Sequence, residues 1–180
     1  MAADRTRTLR GALAGAVAAT VWAAQQPLDR RVFGVDFDDA TLLGSFVTRD
    51  RRSRAALPIG LAMHAANGAV FGAVYARVAP TLPGPRPLRG VAAGLAEHLA
   101  TWPVTRFSGL HPAGGQFPQL WGSRAAFAQA TWRHLLFGAV LGAVEQRLNP
   151  DPVPPAPADP ERAAGNGHGD PSHLVVVAPA

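Results

Sequence analysis

Residues 134–150 read HLLFGAVLGAVEQRLNP, and residues 64–80 read HAANGAVFGAVYARVAP. When both segments are extended leftward to residues 123 and 53, 28 positions align without a gap and 13 of them are identical. The matches include a histidine, an arginine and a proline in register, so the alanine content of the chain does not explain them. We interpret the two segments as an internal duplication that decides the architecture.

Four apolar runs lie along the chain, at about residues 9–28, 57–79, 88–104 and 125–148. The ranges 11–28 and 57–75 contain no charged residue, so the charged face that a soluble amphipathic helix requires is missing there. Runs of this length match the thickness of a bilayer. The sequence therefore predicts an all-α fold, a transmembrane four-helix bundle built from two parallel two-helix repeats. A soluble alanine-rich four-helix bundle is the structural alternative.

The segments between and beyond the runs are polar. Residues 38–49 place apolar side chains at helical spacing behind two aspartates, which predicts a short interfacial helix in the first loop. Asp36, Asp38 and Asp39 are expected to cap that helix and to be solvated, with cation binding as the alternative. The membrane domain is predicted over residues 1–149, and the Pro- and Gly-rich residues 150–180 are predicted to form a disordered tail.

The first apolar run follows a basic lead, as in a signal peptide. We interpret it as a retained span because no small-x-small cleavage pattern ends it. In addition, the Arg-Gly-x-x-Ala-Gly pattern of residues 10–15 recurs at residues 89–94.

The basic residues are all arginines, and the chain carries a net charge of +5 with no cysteine. Disulfide and thiolate chemistry are thereby excluded. The arginines flank the apolar runs instead of lining one helix face with aromatic residues, so nucleic acid is not a predicted partner. The bilayer is the predicted partner, the plasma membrane the predicted location, and a homo-oligomer stays an option. Eight arginines fall on each predicted membrane face, so cytoplasmic termini are favoured only by the basic start of the chain.

Each predicted span carries one Gly-x-x-x-Gly motif, a spacing that lets helix backbones approach closely in lipid. The motifs are Gly11 with Gly15, Gly68 with Gly72, Gly90 with Gly94, and Gly138 with Gly142. Continued at helical spacing, these stripes meet polar side chains, which we expect to face the bundle interior. The predicted intramembrane polar layer consists of His64, Glu97, His98, Arg133 and His134. Because an unpaired charge in the bilayer centre is costly, we predict a Glu97–Arg133 ion pair.

Three functions are compatible with this layer. A structural or accessory role without enzymatic activity comes first, because a buried polar layer can fix helix register. A small transporter or a proton or ion permeation unit comes second, because His and Glu at this depth are relay groups. A haem or metal site held by His64 and His134 comes third. No catalytic, phosphate-binding or metal motif is present, so neither enzymatic activity nor a cofactor is assigned.

A family resemblance rests on four segments, RGALAGAVAA at residues 10–19, VDFDDATLLG at 35–44, AEHLATWP at 96–103 and ATWRHLLFGAVLGAVE at 130–145. Over about residues 9–149 the chain resembles small actinobacterial integral membrane proteins, and it is loosely similar to glycine-rich four-span families of unknown function. The resemblance implies a multi-pass membrane protein. It carries over no activity and no functional residue.

Overall fold

The computed structural model describes residues 2–150, and these residues form an all-α fold without strands, as predicted. Five α-helices and three 3₁₀ segments follow one another. The helices are α1 (Ala2–Phe33), α2 (Asp39–Thr48), α3 (Ala56–Val78), α4 (Arg86–Thr101) and α5 (Arg124–Leu148). The 3₁₀ segments are Ala79–Thr81, Trp102–Leu110 and Gly114–Gln116. The predicted disordered tail lies outside the described residues.

Two helix ends differ from the sequence expectation. Helix α1 passes through Pro27 and continues to Phe33, where Gly34 follows in the left-handed region with a φ of 67°. The helix therefore continues past the predicted first span of about residues 9–28, and this C-terminal extension of α1 carries Asp29. Helix α4 ends at Thr101, and the chain continues as a 3₁₀ segment with a proline in its first turn.

Helix α2 begins as its aspartates predict. The side chain of Asp38 accepts a hydrogen bond from the backbone N–H of Thr41 at 2.7 Å, which satisfies a free donor of the first turn. The helix ends at Thr48, and the C-cap residue Arg49 has a φ of 58°, in the left-handed region. The capping prediction for Asp38 is thereby confirmed.

The helices pack in pairs at their glycine motifs. A Cβ atom added to Gly72 on α3 would lie 2.8 Å from the Cα atom of Gly15 on α1. One added to Gly90 on α4 would lie 2.8 Å from the Cα atom of Gly142 on α5. Real Cβ atoms do not approach backbone so closely, so these helices touch backbone to backbone. The two pairs, α1 with α3 and α4 with α5, are joined by packing of α1 against α5.

Gly94 differs from Gly90, the other glycine of the α4 motif, in what it meets on α5. A Cβ atom added to Gly94 would lie 2.5 Å from the backbone carbonyl oxygen of His134. It would lie 3.3 Å from the Cα atom of Gly138, the nearest glycine of the facing motif. Gly94 is therefore a close-packing position, but it fits against the backbone of a polar-layer residue and not directly against a glycine. Motif spacing alone does not predict this, because the facing residue depends on how α4 is placed along α5.

Helix α2 packs against α3 in the same way, through a glycine on each helix. The sequence patterns did not predict this contact. A Cβ atom added to Gly44 on α2 would lie 2.9 Å from the backbone nitrogen of Gly60 on α3, and the reverse distance is also 2.9 Å. The first loop is therefore packed tightly on the first helix pair.

More of the large apolar side chains are exposed than buried. Twenty of them are exposed, including Leu9, Leu13, Val70 and Val74 on the long helices. The largest fully buried side chains are instead polar with one exception: Arg133, Leu141, His98, Gln26, Gln129, Glu145, Asp29 and Ser45. Water-soluble proteins show the opposite distribution.

One segment of the described chain, Ala56–Thr81, is long and apolar enough to cross a membrane by length and composition. Only 17% of its most apolar window is buried inside the bundle, so it is not a covered core helix. The other predicted spans are more polar or shorter. Helix α5 carries Arg133 and Glu145, and α4 has 16 residues.

Candidate functional site: a buried charge cluster beside a histidine-lined cavity

The centre of the bundle holds a fully buried arginine. The guanidinium of Arg133 donates to both carboxylate oxygens of Asp29, from Nε at 2.7 Å and from Nη2 at 2.6 Å. It also donates from Nη1 to Asp39 at 2.6 Å and from Nη2 to the backbone carbonyl of Phe37 at 2.9 Å. The side chains of Arg133 and Asp29 are 2% and 1% exposed. Forked contacts of this kind satisfy a buried guanidinium.

Amide and indole groups complete the surroundings of the two aspartates. Gln25 and Gln129 donate to Asp29 at 2.6 Å and 2.9 Å, and the indole N–H of Trp22 donates to Asp39 at 3.1 Å. Two carboxylates and one guanidinium leave this cluster with a net charge of −1.

The predicted Glu97–Arg133 ion pair is wrong. Arg133 pairs with Asp29 and Asp39, and Glu97 pairs instead with His134. A buried guanidinium requires several acceptors at once. The extended last turn of α1 and the start of α2 supply two carboxylates and a carbonyl, whereas Glu97 offers one carboxylate that is 37% exposed. Asp39 was expected to help cap α2 and to be solvated, and it instead forms an ion pair with Arg133.

His134 has an acceptor within hydrogen-bond distance of each of its ring nitrogens. The Nδ1 atom of His134 lies 2.7 Å from the carbonyl oxygen of Ala130, which can only accept, so Nδ1 carries hydrogen. The Nε2 atom lies 2.6 Å from Oε2 of Glu97. A hydrogen bond there requires a proton on either the imidazole or the carboxyl. Hydrogen bonds at both ring nitrogens therefore require one proton more than a neutral imidazole with a free carboxylate would supply.

The remaining predicted histidines lie around this pair. The ring of His98 lies 4.7 Å from that of His134 between centroids, and its Nε2 is 3.0 Å from the hydroxyl of Thr131. That hydroxyl donates to the carbonyl of Phe127, so His98 Nε2 is the donor to it. Trp22 contacts both repeat histidines, with centroid distances of 5.3 Å to His64 and 4.7 Å to His134.

A cavity of about 560 Å³ opens beside these side chains. Its walls come from α1 to α5 and from the segment after α4, and they are mostly apolar and aromatic. The titratable side chains that line it are His64, His98, His111, His134, Asp39 and Glu97. Four of the five residues of the predicted polar layer therefore share one cavity, while Arg133 lies behind Asp39.

The structure does not favour a metal centre at the predicted histidines. Among the described residues, no group of three or more His, Asp or Glu side chains is arranged to hold a metal ion. The indole of Trp22 contacts the rings of both His64 and His134 and so occupies space beside the two ligands that a haem iron would need.

A second buried carboxylate, that of Glu145, lies near the C-terminal end of α5. Glu145 is 1% exposed and accepts a hydrogen bond from Arg7 at 2.9 Å and one from Asn149 at 3.2 Å. The Nε atom of Arg7 donates to the carbonyl oxygen of Ala76 at 2.6 Å. This cluster ties the first turns of α1 to the last turns of α3 and α5.

Asp29 and Gln129 are two buried polar residues of the central cluster that the sequence patterns did not single out. A signal for Asp29 was present, because it lies one helical turn beyond Gln25 and Gln26, on the stripe that begins at Gly11. Asp29 falls just past the predicted span of residues 9–28, in a segment that was expected to be a polar connection. Gln129 likewise lies one turn before Arg133 on α5.

The family comparison covers most of the chain. A model for a family of unknown function, DUF6789, matches residues 5–155. The chain belongs to this family. No curated protein and no solved structure matches the chain. The match agrees with the expected resemblance to families without an assigned activity, and it names no ligand, substrate or site for this member of DUF6789.

Proposed function

We propose that this DUF6789 protein is a multi-pass integral membrane protein of the plasma membrane, built as a four-span bundle. The main support is the distribution of side chains. Many Leu, Val and Phe side chains are exposed on the outside of the bundle, whereas Arg133, Asp29, Glu145 and two glutamines are buried inside it. In lipid, outward apolar side chains are solvated, and helix packing depends on small residues and buried polar contacts. Glycines meet backbone at the α1–α3 and α4–α5 contacts, and buried ion pairs of Arg133 join α1 and α2 to α5.

The absence of cysteine gives a clean topology experiment. Thr81→Cys lies between α3 and α4, and Gly109→Cys lies in the 3₁₀ segment after α4, where an added Cβ atom meets open space. In intact vesicles a membrane-impermeant maleimide should label one of them from outside and the other only after the vesicles are opened. The cysteine-free parent is the control. Recovery in the soluble fraction, or labelling of both sites from one side, contradicts the proposal.

The role of this bundle is proposed to be structural or accessory, without enzymatic activity. The support is that most of the buried polar groups bond one another, as in the cluster of Arg133, Asp29 and Asp39. A homo-oligomer is compatible with this role, because a second copy would cover part of the exposed apolar surface. Cross-linking in native membranes, compared with the purified chain, measures that association.

A transport or permeation role is the second candidate, and one observation favours it. The cavity of about 560 Å³ brings Glu97, His98, His64 and His134 to one accessible space. Flux across proteoliposomes, compared between the parent and a His64→Ala/His134→Ala variant, tests this role. Leu110→Ala serves as the control, because Leu110 is 84% exposed and lies outside the cavity lining. Equal flux in all three proteins rules out a path through the two histidines.

A further inference from the structure

Apart from its histidines, the ionisable side chains that line the cavity are all acidic. Asp39 and Glu97 line the cavity, whereas none of its lining residues is an arginine. Their side chains are 24% and 37% exposed, in contrast to the buried Asp29. Among the described residues, Oδ1 of Asp39 and Oε1 of Glu97 accept no hydrogen bond, so each carboxylate has an oxygen available to a ligand.

The cavity walls are aromatic around these carboxylates. The lining includes Trp22, Trp102, Phe37, Phe71, Phe107 and Phe117. The faces of such rings attract cations, and their bodies accommodate apolar groups. Asp39 is already paired with Arg133, whereas Glu97 has no arginine partner, so Glu97 in this aromatic-lined cavity fits a positively charged group attached to an apolar body.

The proton of the Glu97–His134 pair bears on the charge of any ligand. With that proton the pair is neutral, and both ring nitrogens of His134 face acceptors. If the proton leaves, the pair carries one negative charge at the cavity wall. A monovalent cation could then occupy the cavity without changing its total charge, and His134 would remain neutral.

We propose that the cavity binds an amphipathic organic monocation at Glu97 in exchange for the proton that Glu97 and His134 share. This inference deepens the transport candidate, and its physiological meaning rests on that proposed function, but binding can be measured on purified protein. The charged and titratable groups around Glu97 come from every helix packed there. They are Asp29 on α1, Asp39 on α2, His64 on α3, His98 on α4, Arg133 and His134 on α5, and His111 after the 3₁₀ segment.

Isothermal titration of the full chain in detergent with benzyltrimethylammonium tests the exchange. This probe has an aromatic body and a permanent charge, so any pH dependence belongs to the protein. Where the pair is protonated, the Kd should fall about tenfold for each unit of rising pH, because one proton competes with one cation. Titrations in two buffers of different ionisation enthalpy should show release of about one proton per bound cation. The uncharged carbon isostere neopentylbenzene should release none.

Variants at one position separate charge from shape. Glu97→Gln should raise the Kd at least about tenfold and abolish proton release, because a charge-assisted contact is lost. Glu97→Asp should retain proton release with a weaker affinity. Asp4→Asn, near the start of α1 and away from the cavity lining, should change neither quantity.

Several results would overturn the proposal. They are binding of the cation without proton release, equal affinity for neopentylbenzene, and unchanged affinity in Glu97→Gln. If Glu97→Gln does not fold, the pH dependence of the parent and the isostere comparison still decide. Proton-linked binding in detergent without flux in proteoliposomes would refute transport and leave the binding site standing. A protein that fails the cysteine topology test but binds the cation would refute the membrane proposal alone.

Discussion

Removal of one partner from the Arg133–Asp29 pair should strongly destabilise the bundle. Asp29→Asn keeps the shape of the side chain and removes its charge. It takes away the carboxylate that receives two of the four hydrogen bonds of Arg133, at 2.7 Å and 2.6 Å. Breaking a buried pair typically costs about 3–5 kcal/mol, because the remaining charge is left without compensation. Since Asp39 stays within 2.6 Å of Arg133, we expect a cost of about 3 kcal/mol.

A double-mutant cycle isolates the pairing. Arg133→Gln alone should also cost about 3 kcal/mol, because it leaves two carboxylates without their cation. The combination of Asp29→Asn with Arg133→Gln should cost less than the sum by about 1–3 kcal/mol. The cycle that combines Glu97→Gln with Arg133→Gln should show a coupling below about 0.5 kcal/mol, because Glu97 makes no contact with Arg133.

The free energy of unfolding can be measured by circular dichroism in mixed micelles with increasing dodecyl sulfate, together with abundance in membranes. Arg106→Gln is the matched control, because Arg106 is exposed on the segment after α4 and should change stability by less than about 0.5 kcal/mol. Additive costs for Asp29 and Arg133, or a large coupling between Glu97 and Arg133, would refute the assignment of partners.

Three further predictions concern packing, the second cluster and pH. Gly72→Leu should destabilise the bundle by about 1–3 kcal/mol in the same assay because backbone lies opposite, while Gly109→Leu, with open space around it, should cost less than about 0.5 kcal/mol. Glu145→Gln should cost about 1–3 kcal/mol in unfolding titrations, because its arginine partner at the start of α1 loses a charged acceptor. A hydrogen bond from Arg51 lowers the pKa of Asp36 against the opposing effect of burial, so Asp36 stabilises the fold above its unfolded pKa and loses this contribution as pH falls below about 4. Asp36→Asn should flatten that acid limb of the stability–pH curve, and an unchanged limb contradicts this account.

Much of the fold follows from local patterns in the sequence. The duplication of residues 53–80 at 123–150 predicted equivalent helices, and α3 and α5 begin and end within two residues of the expected bounds. The N-cap at Asp38 follows from a short polar side chain before an apolar periodic run. These features depend on neighbours a few residues apart, which is why the sequence alone contains them.

The end of α1 shows where local patterns fail. The first apolar run ends at residue 28 and polar residues follow, so the sequence predicted the end of the span there. The helix instead continues to Phe33, and Asp29 on this extension reaches Arg133 and Gln129 on α5. That contact joins residues 104 positions apart and cannot be read from the flanking sequence.

The helical content, the duplication and the glycine stripes can be read from the sequence, because helical periodicity fixes which side chains share a face. Which carboxylate meets which cation follows only from the packing of the helices. Asp29, Asp39 and Glu97 could each pair with Arg133 by charge, and the choice among them depends on how α1, α2 and α4 are placed about α5. Hydrogen bonds act only near 3 Å, so rotations that leave the helical pattern unchanged decide that Arg133 meets Asp29 and Asp39 and that Glu97 is left to His134 at the cavity.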